Sequence, residues 1–106
     1  WLANLNPTRG SEQAGTRPVL VFQDDGLTRC SAPIVAIPLT SVLRRASLPS
    51  TVLVAKGDGG LAVDSVVLCH QVRVMDKTRL IRRLGAVHPE TLAAVEGCVL
   101  FTLGFV

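Results

Sequence analysis

Apolar residues along this chain occur in short, β-branched runs separated by polar clusters rich in glycine, aspartate, serine and proline. Runs of this kind predict short β-strands joined by turns. Most of the gaps are shorter than the roughly dozen residues that a parallel crossover requires, so we expect hairpins and an antiparallel sheet or barrel. The predicted strands are 1–5, 18–23, 32–39, 51–56, 64–72 and 80–87, with turns at 24–26 and 56–60.

Two helical segments interrupt this strand pattern. One is short, at 41–46, and the other begins near Pro89, whose fixed φ and missing N–H suit the first position of a helix. From Leu92 onward the apolar residues keep helical spacing, but they extend almost all round the helix. We therefore expect this helix to be covered on two sides, either by the sheet and a second subunit or wholly within the monomer.

Length and cysteine content narrow the class of protein. The chain has 106 residues, which predicts one domain spanning 1–106, and no apolar run reaches the roughly 18 residues of a membrane span. The three cysteines are widely spaced and form no Cys-x-x-Cys pair. This pattern favours free thiols that pack as small apolar residues in a reducing cytoplasm over a disulfide or zinc framework.

The formal net charge of +3 favours an anionic partner only mildly, but the basic residues are grouped. Such grouping is found on nucleic-acid-binding surfaces and also on ordinary solvated faces. Seven of the eleven basic residues fall in two regions: Arg44 and Arg45, then Arg73, Lys77, Arg79, Arg82 and Arg83.

A polar loop near the start of the chain ends in Arg17-Pro18, after which the chain becomes apolar. Pro18 favours an extended backbone at Arg17, so the arginine should be held at the beginning of a strand. A planar guanidinium in that position suits recognition of a phosphate. Glu12 and Gln13 lie in the same loop, where Glu12 could accept a proton or be a solvated carboxylate, and Gln13 could contact a base edge.

Thr40 and Ser41 follow the next apolar run, at the point where a strand gives way to a helical turn. A hydroxyl there can cap the helix or donate to a phosphate oxygen, and Ser41 could cap while Thr40 faces a ligand. The two histidines, His70 within predicted strand 64–72 and His88 before Pro89, are interpreted as structural residues. No cluster of metal ligands is apparent, and 57–60 is interpreted as a turn because it lacks the Lys-Ser/Thr of a nucleotide-binding loop.

Three segments in order, 6–21, 34–41 and 68–80, resemble the MazF/PemK family of toxins from toxin–antitoxin systems. The first is the most specific, because the spacing from Gly-Ser-Glu-Gln to Arg-Pro is hard to meet by chance. The resemblance implies an SH3-like β-barrel of the CcdB/PemK type with a C-terminal helix. It also implies a homodimer, no cofactor or metal, cleavage of single-stranded RNA at a short sequence, and a cognate MazE-like antitoxin that occupies the RNA groove.

The family's catalytic arginine and threonine correspond to Arg17 and Thr40. Because cleavage without metal can use the 2′-hydroxyl of the RNA as the nucleophile, the protein need only position and stabilise, with Glu12 as the candidate proton acceptor. An alternative is a CcdB-like toxin that binds and poisons DNA gyrase; another is an inactive relative. The positions expected to contact RNA are Arg9, Ser11, Gln13, Ser41, Gln71 and Arg73.

Overall fold

The computed structural model describes residues 1–10, 12–30 and 33–105. Over these residues the strands pair antiparallel throughout, in the order β4-β5-β3-β2-β1-β7, with β6 paired to β3. The predicted mainly β fold with a C-terminal helix is confirmed, as an open, barrel-like sheet. Its elements are β1 Leu2–Asn4, β2 Thr16–Val21, α1 Asp25–Thr28, β3 Ile34–Thr40, β4 Thr51–Val54, β5 Ser65–Leu68, β6 Arg73–Met75, β7 Leu80–Arg82 and α2 Pro89–Thr102.

Alternation along β2 and β3 builds an apolar cluster on each face of the sheet, because successive side chains of a strand point to opposite faces. Val19 and Ala36 belong to one cluster, which also contains Ala3, Leu5, Ile34 and Met75. The other cluster includes Ile37, Leu39, Val54, Val67 and Cys69, and it is completed by Val95 and Val99 of α2. The C-terminal helix therefore covers one face only.

The prediction of one strand over 64–72 is wrong, because a 3₁₀ turn at Cys69–Gln71 separates β5 from β6. Leu39 of β3 is opposite Val67, whereas Ile34 is opposite Met75. Six residues of β3, 34–39, are thus matched by nine residues, 67–75, and the three extra residues form the turn. We call it the 69–71 turn; it places His70 and Gln71 outside the ladder.

Several predicted boundaries also change. The predicted turn at 24–26 is wrong in part, because Asp24 accepts a hydrogen bond from the Gly26 amide (2.7 Å) and begins the single helical turn α1. The helical segment at 41–46 is a 3₁₀ turn at Leu43–Ser47. Strand 80–87 ends at Arg82, and the chain then passes close to Gly60, where a Cβ would lie 2.0 Å from the Leu84 carbonyl oxygen.

The α2 helix begins at Pro89 as predicted, and it is held by a distant carboxylate. Asp58, in the predicted turn, accepts hydrogen bonds from the His88 amide (2.8 Å) and the Thr91 hydroxyl. Burial opposes ionisation of Asp58, but these two bonds and the nearby His88 ring outweigh it and hold the pKa of the carboxyl below its ordinary value. Asp58 thus joins the end of one turn to the start of α2.

The exposure of α2 tests the expectation that this helix is wholly covered within the monomer. Val95 and Val99 are buried, whereas Leu100 and Phe101 are 46% and 52% exposed. The alternative of a helix wholly buried in the monomer is therefore wrong. No helix within the described part of the chain is long and apolar enough to cross a membrane.

Candidate active site

The loop between β1 and β2, residues 6–15, is closed firmly at its base. The Leu5 amide donates to the Gly15 carbonyl oxygen (2.9 Å), and the Asn6 side-chain oxygen accepts from the Gly15 amide (3.1 Å). Gly15 has φ of 79°, which suits glycine. We call this segment the 6–15 loop, and its closed base fixes the direction from which the chain approaches Arg17.

Two contacts join the far side of the 6–15 loop to the 69–71 turn and β6. The Gln13 amide donates to Gln71 Oε1 (2.7 Å), and the Glu12 carboxylate lies 3.9 Å from the Arg73 guanidinium. Glu12 therefore pairs with Arg73, whereas the sequence placed it beside Arg17. The three extra residues that form the 69–71 turn bring Gln71 within reach of the loop.

Arg17 lies in β2, as the Arg17-Pro18 pair predicted, and its side chain is anchored at one point. Arg17 Nε donates to the Ala14 carbonyl oxygen (3.1 Å), and the residue is exposed. This bond uses the Nε proton of the guanidinium and none of those on its two terminal nitrogens. A guanidinium arranged in this way can bind two oxygens of one phosphate.

Thr40 ends β3 and is buried, with 4% of its surface exposed. Its Oγ1 accepts a hydrogen bond from the Val42 amide (3.2 Å), which leaves the hydroxyl proton to donate elsewhere. The residue before the Leu43–Ser47 turn is Val42, which has no side-chain capping bond, so the expectation that Ser41 caps the turn is wrong. Ser41 is exposed beside Thr40.

The register between β2 and β3 places Arg17 and Thr40 on the same face of the sheet. The pairing of β2 with β3 ends at Val19 and Pro38, and Arg17 and Thr40 each lie two residues beyond that pair. Opposed residues of an antiparallel pair share a face of the sheet, and so do residues two apart along a strand. At this end of the sheet β2 pairs with β1, and β3 pairs with β5.

The remaining predicted positions lie mainly in the 6–15 loop, the 69–71 turn and β6, and they are held to different extents. Gln13, Gln71 and Arg73 are brought together by the contacts above. Arg9 is exposed in the loop, where its carbonyl oxygen accepts from the Glu12 amide (3.2 Å). Ser11 lies outside the described residues. The loop, the 69–71 turn and the ends of β2 and β3 therefore form one polar surface.

Two further side chains lie near this surface: Arg79, which the sequence placed only among the grouped basic residues, and His70, which it placed in a strand as a structural residue. Arg79 donates to the carbonyl oxygens of Asn4 (3.3 Å) and Asn6, which ties the loop to β7. His70 is in the 69–71 turn rather than in a strand, and its Nδ1 lies 2.9 Å from Ser50 Oγ. Arg79 lies in 68–80, the third of the segments that carry the family resemblance, and this is the sequence signal that points to it. The Ser50–His70 contact depends on the three extra residues of the 69–71 turn, and no local sequence pattern predicts it.

A cavity of about 660 Å³ lies elsewhere, on the face of the sheet that α2 covers. Its walls include Leu20, Phe22, Leu39 and Val67, the positions that alternate with Arg17 and Thr40. Within the described ranges, no three histidine, cysteine or acidic side chains are arranged to hold a metal ion. The polar surface and the apolar cavity are thus on opposite faces.

The chain is an open antiparallel barrel with one C-terminal helix, and its polar loops lie at one end of the sheet. This is the architecture of the small β-barrel toxins. The sequence model of the PemK-like, MazF-like toxins of type II toxin–antitoxin systems matches residues 1–103, and the chain belongs to this family.

Individual relatives agree with this assignment. The chain is 34% identical over 104 residues to a protein of Staphylococcus saprophyticus named Endoribonuclease MazF, covering 98% of this chain and 87% of the relative. A crystal structure of MazF from Deinococcus radiodurans is 30% identical with a TM-score of 0.83, covering 97% and 90%. A MazE–MazF crystal structure from the same organism is 26% identical with a TM-score of 0.75, covering 97% and 88%.

Proposed function

We propose that this chain is an endoribonuclease toxin that cleaves single-stranded RNA at a short sequence and is neutralised by a MazE-like antitoxin. Membership of the toxin family and the relative named Endoribonuclease MazF support the activity. The MazE–MazF structure from D. radiodurans supports the kind of partner. We further propose that residues 1–106 form one domain that acts as a homodimer in the cytoplasm.

The observation that supports the proposal is that Arg17 and Thr40 lie on the same face of the sheet, each two residues beyond the Val19–Pro38 pair that ends the pairing of β2 and β3. In the proposed mechanism the RNA 2′-hydroxyl loses its proton and attacks the adjacent phosphorus, and the 5′-oxygen of the next nucleotide leaves and takes up a proton from solvent. Arg17 neutralises the charge that develops on the non-bridging oxygens, and the Thr40 hydroxyl donates to one of them. The products are a 2′,3′-cyclic phosphate and a 5′-hydroxyl, and no protein nucleophile or metal takes part.

The 6–15 loop and the 69–71 turn supply the rest of the proposed site. Glu12 is the proposed acceptor of the 2′-hydroxyl proton, since its side chain is about half exposed and its 3.9 Å ion pair with Arg73 is long, so the pair constrains the carboxylate weakly. In this proposal the RNA strand binds along the polar groups around Arg17 and Thr40. The proposed contacts are Arg9, Ser11, Gln13, Ser41, Gln71 and Arg73.

RNA incubated with the purified protein in excess EDTA tests this proposal. We expect cleavage at defined positions with 2′,3′-cyclic phosphate ends, and no cleavage when the nucleotide before the cut carries 2′-deoxyribose. Arg17→Ala should lower the cleavage rate by roughly 10²–10³, the usual effect of losing one preorganised donor. Arg29→Ala, an exposed arginine after α1 at the far end of β2, is the matched control and should cleave normally.

Three results would contradict the assignment. Near-normal cleavage by Arg17→Ala would remove Arg17 from the mechanism. Intact RNA together with binding to DNA gyrase would favour a CcdB-like toxin, an alternative that the family match already disfavours. RNA bound but uncut would indicate an inactive relative.

A further inference from the structure

Two of the three cysteines, distant in sequence, meet in the core beneath α2. Cys69 is the first residue of the 69–71 turn, and Cys98 lies in the middle of α2; both pack in the same apolar cluster. The Cys69 amide donates to the Ser50 carbonyl oxygen (3.0 Å), while the Cys98 thiol donates to the neighbouring Pro49 carbonyl oxygen (3.7 Å). Contacts to consecutive carbonyls place the two cysteines side by side.

The Cys98 side chain packs against the buried cluster that contains Cys69. Burial raises the pKa of the Cys69 thiol to about 12, and the nearby Cys98 adds to the effect. The third cysteine, Cys30, is exposed and follows α1.

The two thiols differ in solvent exposure, and this difference gives them different roles. Cys69 has no exposed surface, whereas Cys98 is half-buried, so an oxidant from solvent reaches Cys98 first. The thiolate is the reactive form of cysteine, and Cys69 remains protonated until a partner arrives. Cys98 is therefore the attacking residue and Cys69 the resolving one.

We propose that Cys69 and Cys98 form an intramolecular disulfide when the protein meets a peroxide, and that this bond fastens α2 to the 69–71 turn. The Cys98 thiolate attacks one peroxide oxygen, the O–O bond breaks, and a sulfenic acid and hydroxide form. The Cys69 sulfur then attacks the Cys98 sulfur; its proton and the sulfenic hydroxyl leave as water. In total two thiols are oxidised by two electrons, and hydrogen peroxide is reduced to two waters.

This inference goes beyond the proposed ribonuclease activity and does not depend on it. The 69–71 turn contains Gln71, which accepts from the Gln13 amide, and α2 carries exposed apolar side chains. A disulfide would therefore connect the anchor of the 6–15 loop to the C-terminal helix. Because it closes a loop of roughly 30 residues, it should raise the Tm by roughly 5–15 °C.

Mass spectrometry of the Cys30→Ser protein tests the proposal without altering the core. The reduced protein is treated with hydrogen peroxide, the remaining thiols are alkylated, and the protein is digested without reductant. We expect loss of two hydrogen atoms, one peptide pair joined through Cys69 and Cys98, and a higher Tm that dithiothreitol reverses. Cys98→Ala in the same background should give neither the joined peptides nor the Tm shift.

Three outcomes would overturn the proposal. The first is sulfinic acid at Cys98 with Cys69 still alkylated, since the resolving step would then not occur. The second is a disulfide joining two chains through Cys98. The third is a protein whose Cys69 and Cys98 both remain reduced while Cys30 in the wild-type chain is oxidised.

Discussion

The Thr40 hydroxyl has two roles at the residue scale, and they can be separated by substitution. Thr40→Val keeps the shape of the buried side chain but removes both the acceptor for the Val42 amide and the donor to phosphate. We expect single-turnover RNA cleavage to fall roughly 10²–10³-fold. The free energy of unfolding should fall by about 1–2 kcal/mol, because the Val42 amide loses its partner.

Thr40→Ser is the matched control, since it keeps the hydroxyl and removes one methyl group. Its cleavage rate should remain within roughly tenfold of the wild type if the hydroxyl is the active part. Equal loss of activity in Thr40→Val and Thr40→Ser would instead indicate that packing at the end of β3 matters and the donor does not.

Single residues near the site were predictable where local chemistry fixes them. Arg17 is placed by the proline after it, and Gly15 by the turn that closes the loop. The partner of Glu12 was not predictable, because Arg73 reaches it only through the register between β3 and β6. Contacts between segments distant in sequence depend on features such as the three extra residues at 69–71, which leave no pattern in the local sequence.

At the scale of elements, the 69–71 turn should control the order of the 6–15 loop. Gln71→Leu removes the acceptor for the Gln13 amide, so we expect faster hydrogen exchange at that amide and a kcat/KM for RNA lower by roughly tenfold. Gln71→Glu keeps an acceptor oxygen and should restore the protection from exchange. Unchanged exchange in Gln71→Leu would show that other contacts hold the loop.

Asp58 gives α2 a dependence on pH. Its folded-state pKa is lowered, so its contribution to the free energy of unfolding is present above the ordinary aspartate pKa of about 4 and is lost as the pH falls through the folded value. Urea denaturation at several pH values should show this loss below about pH 4. Asp58→Asn should be less stable at pH 7 and should show a smaller decline on acidification.

Asp25→Asn, an exposed carboxylate in α1, is the control for Asp58 and should reproduce the wild-type decline. An Asp58→Asn protein with the full wild-type decline would mean that another carboxylate controls acid unfolding.

Secondary structure was predictable to the extent that it depends on local sequence. Pro89 and the helical spacing after Leu92 located α2, and the glycines at 57–60 located a turn. The break in 64–72 was not predictable, because His70 and Gln71 stand between the apolar run 66–69 and Val72 without a glycine or proline to mark a turn. The break follows from tertiary pairing, because the segment before the turn, β5, and the segment after it, β6, pair with different parts of β3.

At the scale of the whole molecule, the two faces of the sheet separate two surfaces. Arg17 and Thr40 lie on the face of the Val19 cluster, while α2 covers the opposite face. The apolar groups left open at the end of α2 are Leu100, Phe101, Leu103 and Phe105, which are 46–74% exposed. A patch of this kind on a small protein marks an interaction surface, and the proposed homodimer would bury it.

Phe101→Glu places a charge in this patch, so we expect the proposed homodimer to dissociate. Sedimentation at matched concentrations should give a dimer for the wild type and a monomer for Phe101→Glu. The wild-type Tm should rise with protein concentration, because association stabilises the folded chain by mass action. Leu27→Glu, with a similarly exposed leucine in α1, should remain dimeric. A dimeric Phe101→Glu protein would move the interface away from α2, whereas a monomeric wild type would exclude the homodimer itself.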